Sequence, residues 1–299
     1  MTNLGRDNGY IDGHRRLPER QRQEPCNEQK PMKQKTEIRG RNIAYSLLGP
    51  EHAAVIVLGH ALGSSSEIWG YQLPLLSARF RVLLYDLPGH GESDPPLGQD
   101  SFDDLATDLA ALLDHAGIGR VTLTGLSIGG MIAQHFALLY PDRLQALVLC
   151  STGAQTNEAG KKIFAERIAR VNEGGVETQV EGSIGRWFTP QFLSSAPATV
   201  DWVRSLYRST SAAGFINGCR AIQELDTIDR LSSITAPTLL VPGELDQAFP
   251  EDVSRAIQSR IRNAQLKLLT GAAHIGNVER PHEFNEILLK FLAEVTPVN

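Results

Sequence analysis

Two periodicities take turns along this chain. Short continuous apolar runs at residues 53–58 (AAVIVL), 81–85 (RVLLY), 121–126 (VTLTGL), 144–150 (LQALVLC) and 238–241 (TLLV) have strand length and β-branched content, the pattern of strands covered on both faces. Between them lie helical stretches. One runs from Trp69 to about Phe80, and one spans 102–116 with Leu105, Leu109, Leu112 and Leu113 on one side. A third follows Ser127 and is stopped by Pro141. A looser alternation over 35–48 reads as an edge hairpin turning at Gly40-Arg41-Asn42. Strands alternating with helices predict an α/β fold whose sheet is mostly parallel, with right-handed crossovers.

The alternation stops between residues 152 and 228. Helices are expected there at 158–173, 199–210 and 214–224, separated by Gly, Pro and Ser, with no convincing strand. After the strand at 238–241 come a helix at 250–259, a last strand at 265–269 and a C-terminal helix at 281–294. The expected organisation is a core of residues 37–152 and 229–299 that is interrupted by a helical cap at 153–228. Ahead of it stands a tail, 1–36, rich in Arg, Gln, Glu, Asn, Lys and Pro and read as disordered.

Composition narrows the function classes. The 299 residues can bury a large core, and the net charge of -5 argues against a nucleic-acid partner. The tail holds eight Lys/Arg against five Asp/Glu, so it carries +3 and the remainder -8. No apolar run is long enough to span a membrane, and the N-terminus has no signal-peptide core. Cys26, Cys150 and Cys219 are scattered and lack metal spacing, which points to reduced thiols and a cytoplasmic location. No phosphate-binding loop, dinucleotide fingerprint or metal cluster is present, so no cofactor and no metal are expected.

The candidate chemistry centres on Gly125-Leu126-Ser127-Ile128-Gly129. A serine at the apex of a sharp strand-to-helix turn needs glycines two positions to either side, and the first helical N–H, that of Ile128, can meet a developing oxyanion. A serine hydroxyl also needs a base and a group to orient that base. His274 follows the last expected strand and Asp246 the one before it, at the carboxyl edge where open parallel sheets place their chemistry. His60 and His90 are rival bases and Glu244 a rival acid, but neither histidine follows the last strand and Glu244 reaches less far over the sheet edge. The second oxyanion donor is expected from the loop after the first buried strand. Leu62 is the candidate and Ala61 the one-residue alternative.

The phrases LGHALGSSSEIW, YDLPGHGESD, GLSIGGM, PGELDQAFP and GAAHIGNVERP resemble the α/β-hydrolase superfamily over residues 38–294. Within it, Leu62-Gly63-Ser64 with Trp69, Gly129-Gly130-Met131 with Gln134, Arg186-Trp187-Phe188-Thr189-Pro190, and Asn277-Val278-Glu279 with Pro281 are similar to the 3-oxoadipate enol-lactonases. The resemblance implies a serine hydrolase that opens a carboxylated enol-lactone through an acyl-enzyme, with a triad of Ser127, Asp246 and His274 and oxyanion donors at Leu62 and Ile128. It also implies a small-molecule substrate, and in the cap a cation beside an aromatic ring. Arg186 with Trp187 is the preferred pair, and Arg204, Arg208 and Arg220 are the alternatives. The chain departs from the enol-lactonase pattern at His60-Ala61, where Asn-Ser is frequent. That leaves open a carboxylesterase, an amide or carbon–carbon bond hydrolase, or a cofactor-free haloperoxidase-type enzyme. The basic tail leaves open a slow-turnover signalling protein.

Overall fold

The computed structural model describes residues 32–296 and Met1; residues 2–31, which include Cys26 and most of the expected polar tail, lie outside the described residues. The first strand, β1 (Gln34–Ile38), turns directly into β2 (Arg41–Leu48). The turn is Arg39-Gly40, one position earlier than the sequence indicated, and both residues have positive φ (50° and 88°), as a two-residue type I′ hairpin turn requires. Regular structure thus starts inside the segment read as tail. Gln34, Lys35 and Thr36 pair with Tyr45, Ala44 and Ile43, because their backbone groups complete the sheet edge whatever their polarity.

Six parallel strands follow on from this hairpin. They are β3 (Val55–Gly59), β4 (Arg81–Tyr85), β5 (Val121–Leu126), β6 (Leu144–Cys150), β7 (Thr238–Val241) and β8 (Ala264–Leu266). The spatial order is β1-β2-β4-β3-β5-β6-β7-β8, with β2 antiparallel to β4. Strand β5 is buried at all six positions, which is why its sequence is an apolar run rather than an alternation. The last strand is shorter than the expected 265–269. Leu269 still bridges Gly243, but the edge strand has no outer neighbour to keep it regular.

The chain leaves β3 toward β4 on one side and enters β5 on the other, so the strand order reverses at β3. Loops that leave the carboxyl ends of strands on the two sides of such a reversal open a crevice between them. Here those loops are 60–65 and the turn at Ser127.

Helix α1 (Leu73–Ser77) connects β3 to β4. Helix α2 (Phe102–His115) begins with a capping box between Ser101 and Asp104, and Leu105, Leu109 and Leu112 face the sheet. Helix α3 (Ile128–Leu139) follows β5.

Between β6 and β7 the described chain is helical: α4 (Glu158–Gly174), α5 (Glu177–Trp187), α6 (Pro190–Ser195), α7 (Pro197–Arg208) and α8 (Ala212–Gln223). Helices α5 and α6 are additional to those read from the sequence, because Gly182, Gly185 and Pro190 mask their periodicity. These helices sit over the carboxyl edge of the sheet, where Tyr207 meets Gly63, Gly214 meets Gly89 and Gly218 meets Leu62. After β7 come α9 (Glu251–Arg260), the short α10 (Gly276–Glu279) and α11 (Pro281–Val295). Among the described residues no helix is long and apolar enough to cross a membrane.

Candidate active site

Ser127 follows β5 with φ 55° and ψ -117°, a conformation that costs on the order of 1–3 kcal/mol and persists only where its surroundings impose it. Its N–H donates to Cys150 O (2.9 Å), continuing the β5–β6 ladder by one residue. Its carbonyl accepts from Gly130 N (2.9 Å), Met131 N (3.2 Å) and Thr152 Oγ1 (2.8 Å), which starts α3 and ties it to the β6 side. The turn closes only because both flanking residues lack a side chain. A Cβ on Gly125 would strike the Gly129 carbonyl, and one on Gly129 would lie 2.5 Å from Gly59 O. Among the described residues the Ser127 hydroxyl makes no hydrogen bond, including with His274.

His274 is buried in the loop before α10, and its Nδ1 donates to Asp246 Oδ2 at 2.8 Å. The other oxygen of Asp246 accepts from Ala248 N (2.8 Å) and Phe249 N (3.2 Å). Burial pushes the Asp246 carboxyl upward, but His274 and these two N–H groups outweigh it and hold it below the usual carboxylate range. The carboxylate therefore fixes the tautomer that leaves His274 Nε2 free to accept a proton. Glu244, the rival acid, is engaged elsewhere, accepting from Gly271 N at 2.7 Å.

The two rival histidines hold the loop that carries Leu62. His60 Nδ1 donates to Ala61 O (2.8 Å) and its Nε2 accepts from Leu87 N (2.9 Å). His90 Nδ1 donates to Pro88 O (3.1 Å) and its Nε2 accepts from Gly63 N (3.3 Å). A carbonyl can only accept and an amide N–H can only donate, so both rings must be neutral with the proton on Nδ1. Burial drives their pKa values down accordingly, to about 4 for His60 and about 3 for His90. Both rings are structural, and Leu62 lies between the two residues they anchor.

On the cap side, the Trp187 ring lies 6.5 Å from the His274 ring and 5.3 Å from that of Tyr207, and Phe249 lies 5.8 Å from His274. Trp187 O also accepts from Ile275 N (3.1 Å), so the aromatic residue singled out from the sequence touches the His274 loop by backbone as well as ring. Arg186, its expected partner, has much of its side chain in solvent. Burial of the rest and the like charge of Arg167 lower its pKa. Arg204 is engaged by Glu181 and Asp201, and Arg208 by Glu177.

The sequence reading quoted Glu279 only as a point of resemblance and gave it no role, although it links Thr189 to Ala273 beside His274; Arg167, a cation without a carboxylate partner among the described residues, it passed over. The signal for Glu279 was its place in the quoted Asn277-Val278-Glu279 phrase, an acidic residue in an otherwise small and apolar stretch; for Arg167 there was none. Among the described residues no cluster of three or more His, Cys, Asp or Glu side chains could hold a metal ion.

Comparison with known proteins agrees with this architecture. 3-Oxoadipate enol-lactonase 2 of Acinetobacter baylyi is 31% identical over 241 residues, covering 81% of this chain and 89% of that protein. The crystal structure of the enol-lactonase from Burkholderia xenovorans superposes with a TM-score of 0.84 at 29% identity, covering 87% of this chain and all of the other. A thermophilic esterase from Thermogutta terrifontis, with malate bound, gives 0.83 at 28% identity and covers 89% of this chain and all of its own. The family profile for the alpha/beta hydrolase fold matches residues 54–281. The chain belongs to the α/β-hydrolase fold family.

Proposed function

We propose that this protein is a hydrolase of carboxylic esters or lactones in which Ser127 is the nucleophile, His274 its base and Asp246 the group that orients the base. The observation that supports the reading is the strained Ser127 turn at the sheet's reversal point, together with a buried His274–Asp246 pair carried by the loops after β8 and β7. Ser127 Oγ attacks the carbonyl carbon as His274 Nε2 takes its proton. The N–H groups of Ile128 and Leu62 receive the negative charge on the carbonyl oxygen, with the N-terminal end of α3 behind it. When the carbonyl reforms, His274 gives the proton to the leaving oxygen. It then takes a proton from water, which attacks the acyl-enzyme, and returns that proton to Ser127 Oγ as the acyl–oxygen bond breaks and the acid is released.

The substrate we propose is an enol-lactone carrying a carboxylate, as the enol-lactonase relatives suggest. In a lactone the leaving oxygen stays attached to the acyl group, and an enolate leaves more readily than an alkoxide, so ring opening asks little of the site beyond the apparatus described. A carboxylesterase is the second reading, favoured by His60-Ala61 in place of Asn-Ser. Steady-state comparison of a carboxylated enol-lactone with short neutral p-nitrophenyl esters separates the two. Equal or better turnover of the neutral ester would sink the lactonase reading. A fluorophosphonate probe should label wild type and not Ser127→Ala, and Ser127→Ala should lose roughly 10³-fold or more in kcat. Full activity in that variant would remove Ser127 from its role.

A further inference from the structure

Of the six arginines of the cap, Arg186 and Arg220 are exposed and have no ion pair among the described residues. Arg170, Arg204 and Arg208 pair with Glu166, Glu181 with Asp201, and Glu177 respectively, on exposed helix faces. Arg167 on α4 points inward instead. Its guanidinium lies over the fully buried Phe215 ring (5.1 Å to the centroid) and beside Phe164 (5.5 Å). Its Nη2 donates to Ser183 Oγ (3.1 Å) and Tyr207 Oη (3.4 Å). Among the described residues no carboxylate pairs with it, and its Nε is buried with no acceptor. A buried donor left unpaired costs about 1–3 kcal/mol, and more when it belongs to a charged group, a cost that an incoming acceptor would relieve.

The position of the guanidinium relative to the proposed chemistry follows from its neighbours. Tyr207, which accepts from Arg167, lies on Gly63, the residue after Leu62. A Cβ on Gly63 would come within 2.6 Å of that ring. On the other side, a Cβ on Gly218 would meet the side chains of Leu62 and Ile128 at 2.5 Å and 3.3 Å. Gly218 and Phe215 belong to the same helix, α8. Arg167 therefore stands one layer of side chains above the two residues whose N–H groups are proposed to hold the oxyanion. With its flat face against Phe215, the guanidinium keeps for a carboxylate only the N–H groups that Ser183 and Tyr207 leave unused.

We infer that Arg167, rather than Arg186, binds a carboxylate of the substrate and makes the site selective for esters or lactones that carry one. This rests on the ester or lactone hydrolase reading given above. An anion entering a protein of net charge -5 is repelled by the whole and attracted only locally, which a cation without a counter-ion inside the cap supplies. Tyr207 and Ser183 hold the guanidinium in place, and Phe215 limits its hydration, so little ordering is needed when the carboxylate arrives.

The test uses two chromogenic esters with the same leaving group and chain length, mono-p-nitrophenyl adipate and p-nitrophenyl hexanoate, which differ by one carboxylate. Wild type should prefer the adipate half-ester. Arg167→Met should lower kcat/KM on it at least tenfold, mostly through KM, while hexanoate turnover stays within threefold. Arg167→Lys should restore part of the preference. In Ser127→Ala, adipate should raise the melting temperature, and adding Arg167→Met should abolish that rise. Equal losses on both esters, an unchanged preference, or a preference lost in Arg186→Met instead would overturn the inference. If wild type turned over neither ester and resisted a fluorophosphonate, the hydrolase reading would fail. The melting-temperature comparison would still decide whether Arg167 holds a carboxylate.

Discussion

Glu279 and Thr189, 90 residues apart, join the His274 loop to the cap. One carboxylate oxygen of Glu279 accepts from both the backbone N–H (3.0 Å) and the hydroxyl of Thr189, and the other accepts from Ala273 N (2.8 Å). Ala273 precedes His274, so the carboxylate fixes the His274 loop and the start of α6 with one side chain. Glu279→Gln keeps the shape but turns an N–H₂ toward one of these donors. It should cost about 1–3 kcal/mol in urea unfolding. Because the loop it positions carries His274, kcat should fall several-fold with KM little changed. A stability loss with kcat intact would make Glu279 purely structural.

The neutral pair His60 and His90 gives stability a defined pH dependence. Their rings are 5.3 Å apart and buried, and their pKa values lie at about 4 and about 3 in the folded chain, against a value of roughly 6.5 once unfolded. Between those limits the unfolded chain binds protons that the folded chain does not, so stability falls as pH is lowered from 6.5. Each site contributes a slope of roughly 1.4 kcal/mol per pH unit across its window, so His60 alone accounts for on the order of 3 kcal/mol. His60→Gln should be less stable than wild type at pH 7 and should show a shallower decline between pH 6.5 and 4 in chemical unfolding. An unchanged slope would mean that His60 is charged in the fold.

Much of this was legible in the sequence where one requirement dominates locally. Strand β5 had to be apolar throughout because it is covered on both faces, and the Ser127 turn had to have Gly125 and Gly129 because nothing larger fits. The Asp246–His274 contact could be anticipated from strand order alone, since both residues leave adjacent strand ends. The cap resisted. Helix α5 carries two glycines and a short apolar stripe, so its stability comes from its neighbours and its periodicity is faint. Whether Arg186 or Arg167 faces inward depends on how α4 and α5 are rotated against α8, and one residue of rotation on a helix turns a side chain by about 100°. No local pattern records that choice.

The approach of α3 to β3 sets a limit on the Ser127 turn. A Cβ on Gly129 would lie 2.5 Å from Gly59 O and 2.9 Å from His60 O, both backbone atoms that cannot swing aside. Gly129→Ala should therefore push α3 away from β3, displacing Ile128 N and Ser127 together. The expected outcome is a loss of about 1–3 kcal/mol in stability. Labelling of Ser127 by a fluorophosphonate should slow at least tenfold even in the folded fraction. Gly119→Ala, where a Cβ would meet open space, is the control and should leave both readouts near wild type.

Lys33 tests how far the described fold depends on residues ahead of its first strand. Its Nζ lies 2.7 Å from Asp86 Oδ2, with side-chain exposures of 3% and 0%. Asp86 also accepts from Ser66 N (2.8 Å) and Glu92 N (2.9 Å), so its carboxylate gathers the loop after β3, the loop after β4 and the entry to β1. Burial pushes the Asp86 carboxyl up, but Lys33, His60 and the hydrogen bonds prevail and hold it low. Lys33→Met leaves that carboxylate buried without its cation, which should cost about 3–5 kcal/mol at pH 7. In wild type the depressed pKa adds stability above roughly pH 4, which is lost on acidification through the folded value. In Lys33→Met the carboxyl is instead easier to protonate. The gap between the two proteins should therefore narrow as pH falls from 7 to 4, and Lys33→Met/Asp86→Asn should recover part of the loss at pH 7. A gap that is constant with pH would show that Lys33 acts by filling space and not by its charge.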